Sequence, residues 1–262
     1  MRAHAFSIEA LLARDRLVVG AGLLALTVAS WAYVVHDARS MHCAAMGMAA
    51  SWPQQRLWAP IEVWLLFVMW AVMMVAMMVP SVAPMALMFA AVSRQRQRFA
   101  RPFVPTSIFV VGYLVVWTIF SALAAAGQWG FRAAALLSAS MMLMSPAVSG
   151  GLLILAGVFQ LTSLKQACLS QCRTPLDFLM TEWREGRWGA FVMGLRHGAY
   201  CLGCCWLLML VLFVAGVMNL AWVAMLSVVV LIEKVAPAGP WISRCAGVLL
   251  ASWGASLLAM SR

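Results

Sequence analysis

Acidic side chains are scarce in this 262-residue chain, which has 8 Asp and Glu residues against 18 Lys and Arg residues. Charged residues make up 10% of the chain and apolar residues 65%, whereas a soluble domain carries about 25% charged residues. A soluble protein of this length could not cover so much apolar surface with polar groups. The composition therefore excludes a soluble enzyme, a nucleic-acid-binding domain and a disulfide-stapled secreted module. It predicts an all-α, polytopic transmembrane helix bundle.

The sequence also lacks a glycine-rich phosphate loop, a run of carboxylates for hard ions, a long linker and an internal repeat. It therefore gives no indication of a nucleotide-driven pump, and residues 1–262 are expected to form a single integral membrane domain. The net charge of +10 is expected to set the membrane topology and to attract lipid headgroups, because basic residues concentrate on the cytoplasmic side of membrane proteins.

Apolar segments of about 20 residues, the length that crosses a bilayer, predict about seven spans within a range of six to eight. The spans or span regions are residues 17–35, 62–92, 107–127, 131–164, 189–217, 220–232 and 241–260. Pro80 and Pro84 predict a kink in the second helix. Because Pro146 divides residues 131–164, the first part of that segment is expected to be re-entrant or interfacial.

Two basic loops set the predicted orientation. Residues 94–101 contain four arginines, and residues 165–188 contain one lysine and three arginines. The positive-inside rule places both loops in the cytoplasm. The N-terminus is then cytoplasmic, residues 36–60 form an extracytoplasmic loop, and Glu233 and Lys234 lie in a cytoplasmic loop.

The densest local pattern is a histidine and three cysteines within nine residues of one predicted helix. Their spacing of i, i+4, i+7 and i+8 places all four on one face. They are His197, Cys201, Cys204 and Cys205. Three sulfurs and an imidazole form a soft ligand set that suits copper(I) or zinc, although one helix can supply only two or three of the ligands. The alternative is that the cysteines pack as small apolar side chains.

A second pair of cysteines, Cys168 and Cys172, lies in a loop predicted to be cytoplasmic. Their i, i+4 spacing would bring both thiols to one side of a helical turn, and the adjacent Lys165 and Arg173 would favour the thiolate form. A structural disulfide is not expected in the reducing cytoplasm. The pair is a candidate inner metal site, and the alternative is two incidental cysteines on an interfacial helix.

Methionines form two lines along the second predicted helix. They are Met69, Met73 and Met77 on one line and Met74 and Met78 on the other. Thioethers are soft donors that select copper(I), but a methionine stripe at helical spacing also serves as adaptable packing. Both this stripe and the one over residues 197–205 bracket the midplane of an apolar core about 30 Å thick. Thioethers and thiols can therefore meet if the two helices are neighbours.

A third group of soft side chains lies in the predicted outer loop. Its five candidate ligands are Met41, His42, Cys43, Met46 and Met48. Methionine and histidine are common copper ligands where conditions are oxidising, so this group could collect or release the ion outside the cell. The alternative is an irregular amphipathic loop.

Three stretches of the sequence carry a family resemblance. They are Trp70-x-x-Met73-Met74-x-Ala76-Met77-Met78-x-Pro80, Lys165-x-x-Cys168-Leu169-x-x-Cys172-Arg173-x-Pro175, and His197-Gly198-x-x-Cys201-x-Gly203-Cys204-Cys205-Trp206 with Met218-Asn219 and Glu233-Lys234. With them, residues 60–255 resemble the bacterial membrane proteins of the domain of unknown function 2182 family, described as predicted metal-binding integral membrane proteins. The resemblance implies metal binding in a bacterial cytoplasmic membrane, and it supplies no reaction.

Two functions of different classes account for these residues. The first is a copper(I)-binding membrane protein that transports the ion or delivers it to a membrane metalloenzyme or metal chaperone, with zinc and haem left open as other occupants. The second is an enzyme, a thiol–disulfide oxidoreductase that relays electrons from Cys168 and Cys172 to the cysteines of residues 201–205. We favour the binding protein over the enzyme. In the relay the methionines would be replaceable.

Overall fold

The computed structural model describes the backbone of residues 2–47, 60–97, 104–138 and 142–260, and the side chains of residues 17–40, 61–96, 104–138 and 142–260. Within these residues the chain forms ten α-helices and no strand; an isolated bridge joins Leu137 and Leu143. The helices are α1 Arg2–Gly47, α2 Pro60–Gln97, α3 Thr106–Ala133, α4 Pro146–Leu161, α5 Ser163–Arg173, α6 Pro175–Glu182, α7 Gly186–Leu210, α8 Leu212–Ala215, α9 Leu220–Val235 and α10 Gly239–Met260. The prediction of an all-α helix bundle is confirmed.

Five helical segments of the described chain are long and apolar enough to cross a membrane. They are Leu17–Ser40, Ile61–Arg96, Thr106–Ala133, Gly186–Ala215 and Gly239–Met260. A sixth span results if α4 and α5, which meet at 62°, cross together. Six lies within the predicted range and below its central value of seven. The difference is α9, whose 16 residues are fewer than the roughly 20 that a span requires.

The segment over residues 131–164 is divided by helix boundaries. α3 continues to Ala133, and residues 134–138 and 142–145 are not helical. At the start of α4 the Ser145 hydroxyl accepts a hydrogen bond from the Val148 amide, and Pro146 occupies the first turn. Both features start helices, because they satisfy or remove backbone N–H groups that lack a partner. A new helix therefore begins at Pro146, and the re-entrant or interfacial placement of the residues before it stays a prediction.

The region predicted to be a cytoplasmic loop, residues 165–188, is largely helical. α4 ends at Leu161, and the Thr162 hydroxyl accepts a hydrogen bond from the Lys165 amide and so caps α5. The 62° bend at this residue turns α5 back onto the bundle, where it packs against α7 and buries Leu169. The loop prediction, which rested on four basic residues and the positive-inside rule, did not anticipate these helices or the full burial of the Lys165 side chain. The cytoplasmic side of this region stays a prediction.

α2 and α7 lie at the centre of the bundle. α2 continues through Pro80 and Pro84 without a break. One helix of the described chain is bent by 26°. α2 packs against α1, α3 and α9, while α7 packs against α3 and α5. α3 therefore lies between the methionine-bearing helix and the cysteine-bearing helix.

Candidate metal centre

The four soft side chains of α7 lie on its buried face. His197, Cys201, Cys204 and Cys205 are each at most 3% exposed. The helix has no proline and no internal break between Gly186 and Leu210, so the spacing of these residues translates directly into one stripe. All three cysteines of the stripe are free.

The structure brings the two cysteines of α5 to the same place. The Cys168 sulfur lies 2.9 Å from the position that a Cβ atom on Gly203 would occupy, so the Cys168 side chain packs directly against α7 at this glycine. One turn further on, the Cys172 thiol interacts with the thiols of Cys201 and Cys204. The sequence predicted a candidate inner metal site at Cys168 and Cys172. In the structure these two cysteines join those of α7 in one group of five. We call it the thiol cluster: Cys168, Cys172, Cys201, Cys204 and Cys205.

The thiols of the cluster are not arranged around a common point. Cys204 and Cys205 donate hydrogen bonds to the carbonyl oxygen of Cys201, at 3.1 and 3.0 Å from sulfur to oxygen. Their thiols therefore point back along their own helix. Among the side chains that the structure describes, no group of three His, Cys, Asp or Glu residues has the geometry of a formed metal site. Metal binding by this cluster would require these thiols to rotate.

Two polar side chains from other helices contact Cys201. The Tyr113 hydroxyl of α3 lies 3.0 Å from the Cys201 sulfur, and the Lys234 ammonium of α9 donates to the same sulfur at 2.8 Å. Lys234 also donates to the Ser81 hydroxyl at 3.1 Å, and Tyr113 donates to the Met78 carbonyl oxygen at 3.2 Å. Cys201 is thus the point where α2, α3, α7 and α9 connect.

The placement of Glu233 and Lys234 corrects a second prediction. Both were expected in a cytoplasmic loop, but they end α9 and are 1% and 6% exposed. Neither Tyr113 nor Lys234 was predicted as a site residue. A signal for Lys234 was available, because a charged side chain within an apolar segment is costly unless it has a partner.

A buried ion pair holds α5 in place. The Lys165 ammonium lies 2.8 Å from a Glu233 carboxylate oxygen, and Gln160 bonds to both side chains. The Arg173 guanidinium donates to the backbone carbonyl of Glu233 at 2.7 Å. Lys165 and Arg173 were predicted to activate the thiols of Cys168 and Cys172, but these contacts direct both cations to α9 and the chain that follows it.

His197 lies in an aromatic cage. The rings of Phe109, Tyr113 and Phe178 are centred 6.0, 6.0 and 5.2 Å from the imidazole. Its Nδ1 atom is buried and has no hydrogen-bond partner among the described residues. Buried polar atoms normally have a partner, so this nitrogen is available as a ligand for a metal ion.

A sequence model of the PpoB2 copper chaperone family matches residues 67–257. The chain belongs to the PpoB2 copper chaperone family. No curated protein and no solved structure gives a significant match.

The region matched by the PpoB2 model contains the thiol cluster, His197 and the methionine stripe of α2. The five methionines of that stripe are at most 4% exposed. The links from α2 to Cys201 run through the Met78 carbonyl oxygen to Tyr113 and through the Ser81 hydroxyl to Lys234. The methionine helix is therefore close to the thiol cluster, although its main packing partners are α1, α3 and α9 rather than α7.

The predicted outer ligands precede the region matched by the PpoB2 model. The backbone at Met41, His42, Cys43 and Met46 belongs to α1, which continues as a helix to Gly47 where a loop was predicted. Nothing is described of these four side chains, and Met48 lies outside the described residues.

Proposed function

We propose that this chain binds copper(I) at the thiol cluster and transports or delivers it within a bacterial cytoplasmic membrane, with the N-terminus in the cytoplasm. The observation that carries the proposal is the packing of α5 against α7, which brings two partly buried cysteines next to three buried ones in an apolar bundle. Membership of a copper chaperone family supports the choice of metal. The ion is the cargo of such a protein, and its acceptor would be a membrane metalloenzyme or another metal chaperone.

The chemistry of the cluster suits a soft monovalent ion. Thiolates and thioethers select copper(I) over hard cations, and a monovalent ion brings less charge into the bilayer than a divalent one. The uncoordinated Nδ1 of His197 offers a nitrogen ligand one helical turn from Cys201.

Loading would rearrange the thiols rather than fill a rigid site. The hydrogen bonds from Cys204 and Cys205 to the Cys201 carbonyl are weak S–H bonds, so little energy opposes rotation of these side chains. A loosely held ligand set also favours release, because a carrier has to transfer its ion to an acceptor. The methionines of α2 would supply further soft ligands on the route, and residues 41–48 would exchange the ion at the outer surface.

Replacing both Cys204 and Cys205 with serine is expected to reduce copper(I) binding by about ten-fold or more, because serine oxygen is a hard ligand. The measurement is elemental analysis of purified protein after anaerobic loading with copper(I). The matched control is Cys245→Ser, since Cys245 is a free but exposed cysteine on α10, and this variant should bind as the wild type does. Unchanged binding by the double variant would refute the proposal.

A thiol–disulfide relay is the competing function. It is favoured by the proximity of Cys172 to Cys201 and Cys204, because neighbouring thiols can exchange disulfides. Copper handling predicts that these cysteines stay reduced. Acid quenching and thiol trapping of cells grown under oxidising and reducing conditions measures this directly. A disulfide within the thiol cluster that follows the growth conditions would assign the relay instead.

A further inference from the structure

The ammonium of Lys234 is buried beside the thiol cluster. Its Nζ atom lies 2.8 Å from the Cys201 sulfur and 3.1 Å from the Ser81 hydroxyl, and the side chain is 6% exposed. In the part of the chain that the structure describes, no carboxylate forms a salt bridge with it, since Glu233 pairs with Lys165. A positive charge in an apolar interior therefore faces a sulfur atom.

A lysine near the end of a membrane helix commonly extends its ammonium toward the water at the interface. Lys234 does the opposite, because its ammonium reaches into the bundle between α2 and α7. Burying a cation is costly unless a negative charge compensates it. Of the two described side chains that accept a hydrogen bond from Lys234, Ser81 and Cys201, the thiol of Cys201 is the one that can carry such a charge.

We propose that Lys234 is the fixed counter-charge of the thiol cluster, and that the loaded site holds one soft monovalent ion on two thiolates, one of which is Cys201. This inference rests on the proposed function. Lys234 does not coordinate the ion; it acts through Cys201 and determines which charge state of the loaded cluster is stable in the membrane.

The charges decide the number of thiolate ligands. A monovalent ion with two thiolates carries one negative charge, which the Lys234 ammonium cancels. A divalent ion and the same two thiolates together are neutral, so the Lys234 charge stays uncompensated. A divalent ion would therefore need a third thiolate. The ion pair of Lys165 and Glu233 cancels internally, and a neutral imidazole ligand from His197 adds no charge.

The first test uses Ag(I) as a redox-inert soft monovalent probe, titrated in competition with a chelator. Lys234→Met is expected to weaken Ag(I) binding by about ten-fold or more, because the loaded site loses its counter-charge. Lys234→Arg keeps the charge and should stay within about three-fold of wild type. Ser81→Ala is the matched control: it removes the other partner of Lys234 without changing any charge, and it should bind as wild type.

Equal Ag(I) affinity in Lys234→Met and wild type would overturn the counter-charge role while leaving the proposed function intact. Failure of the wild type to bind Ag(I) at all would instead refute the proposed function. Should Lys234→Met not fold, X-ray absorption of the Ag(I)-loaded wild type still decides. Two short silver–sulfur distances of the thiolate type are expected, and three or more of them would overturn the proposal.

Discussion

Replacing Lys165 with methionine is expected to lower the free energy of unfolding by about 3–5 kcal/mol, because it leaves a buried carboxylate without its cation. Glu233 is 1% exposed, and its remaining side-chain partner would be the amide of Gln160 at 3.3 Å. The lost ion pair also connects α5 to α9. We therefore expect Cys168 and Cys172 to move away from α7 and copper(I) binding to fall with stability. Thermal unfolding in detergent and metal loading measure the two effects.

Two further variants show whether the buried charge is the cause. The double variant Lys165→Met with Glu233→Leu removes both charges and should recover most of the lost stability, since a buried ion pair and an apolar pair are often equivalent. Arg196→Ala breaks a salt bridge to Glu182 in which the arginine side chain is 44% exposed, and it should cost less than about 1 kcal/mol. If Lys165→Met unfolds at the wild-type temperature, the ion pair does not hold α5.

Gly194→Ala is expected to destabilise the protein by about 3 kcal/mol or more, since the added methyl group meets backbone that cannot rotate away. A Cβ atom on Gly194 would lie 2.0 Å from the carbonyl oxygen of Phe109, and one on Gly112 would lie 2.3 Å from that of Phe191. α3 and α7 would have to separate. Tyr113 would then be withdrawn from the Cys201 sulfur, which lies 3.0 Å from its hydroxyl.

Gly127→Ala is the matched control for this variant. Gly127 lies on α3, and its Cβ atom would have no neighbour within 4 Å. Alanine is favoured over glycine in a helix by about 1 kcal/mol, so this control should be as stable as wild type or slightly more stable. Equal unfolding temperatures for Gly194→Ala and Gly127→Ala would mean that the α3–α7 contact is looser than the structure shows.

Much of the fold follows from local patterns. Long apolar segments predicted the principal helices, and the i, i+4, i+7, i+8 spacing placed His197 and three cysteines on one face of α7. The basic residues of α5 pointed to a loop, because Lys165 resembles a loop residue in sequence. Its partner Glu233 lies 68 residues further along the chain, so no local pattern could reveal the pairing.

The sequence alone determined that the protein is an apolar helix bundle with rows of sulfur-bearing side chains on two helices, because composition and helical periodicity are local properties. Only the tertiary structure decided that α5 folds back at Thr162 to join its cysteines to those of α7, and that Lys234 reaches Cys201. Those outcomes depend on glycines that let backbones approach and on charges that find partners in the interior. Both are contacts between residues far apart in the chain, and their energies exist only once the helices have packed.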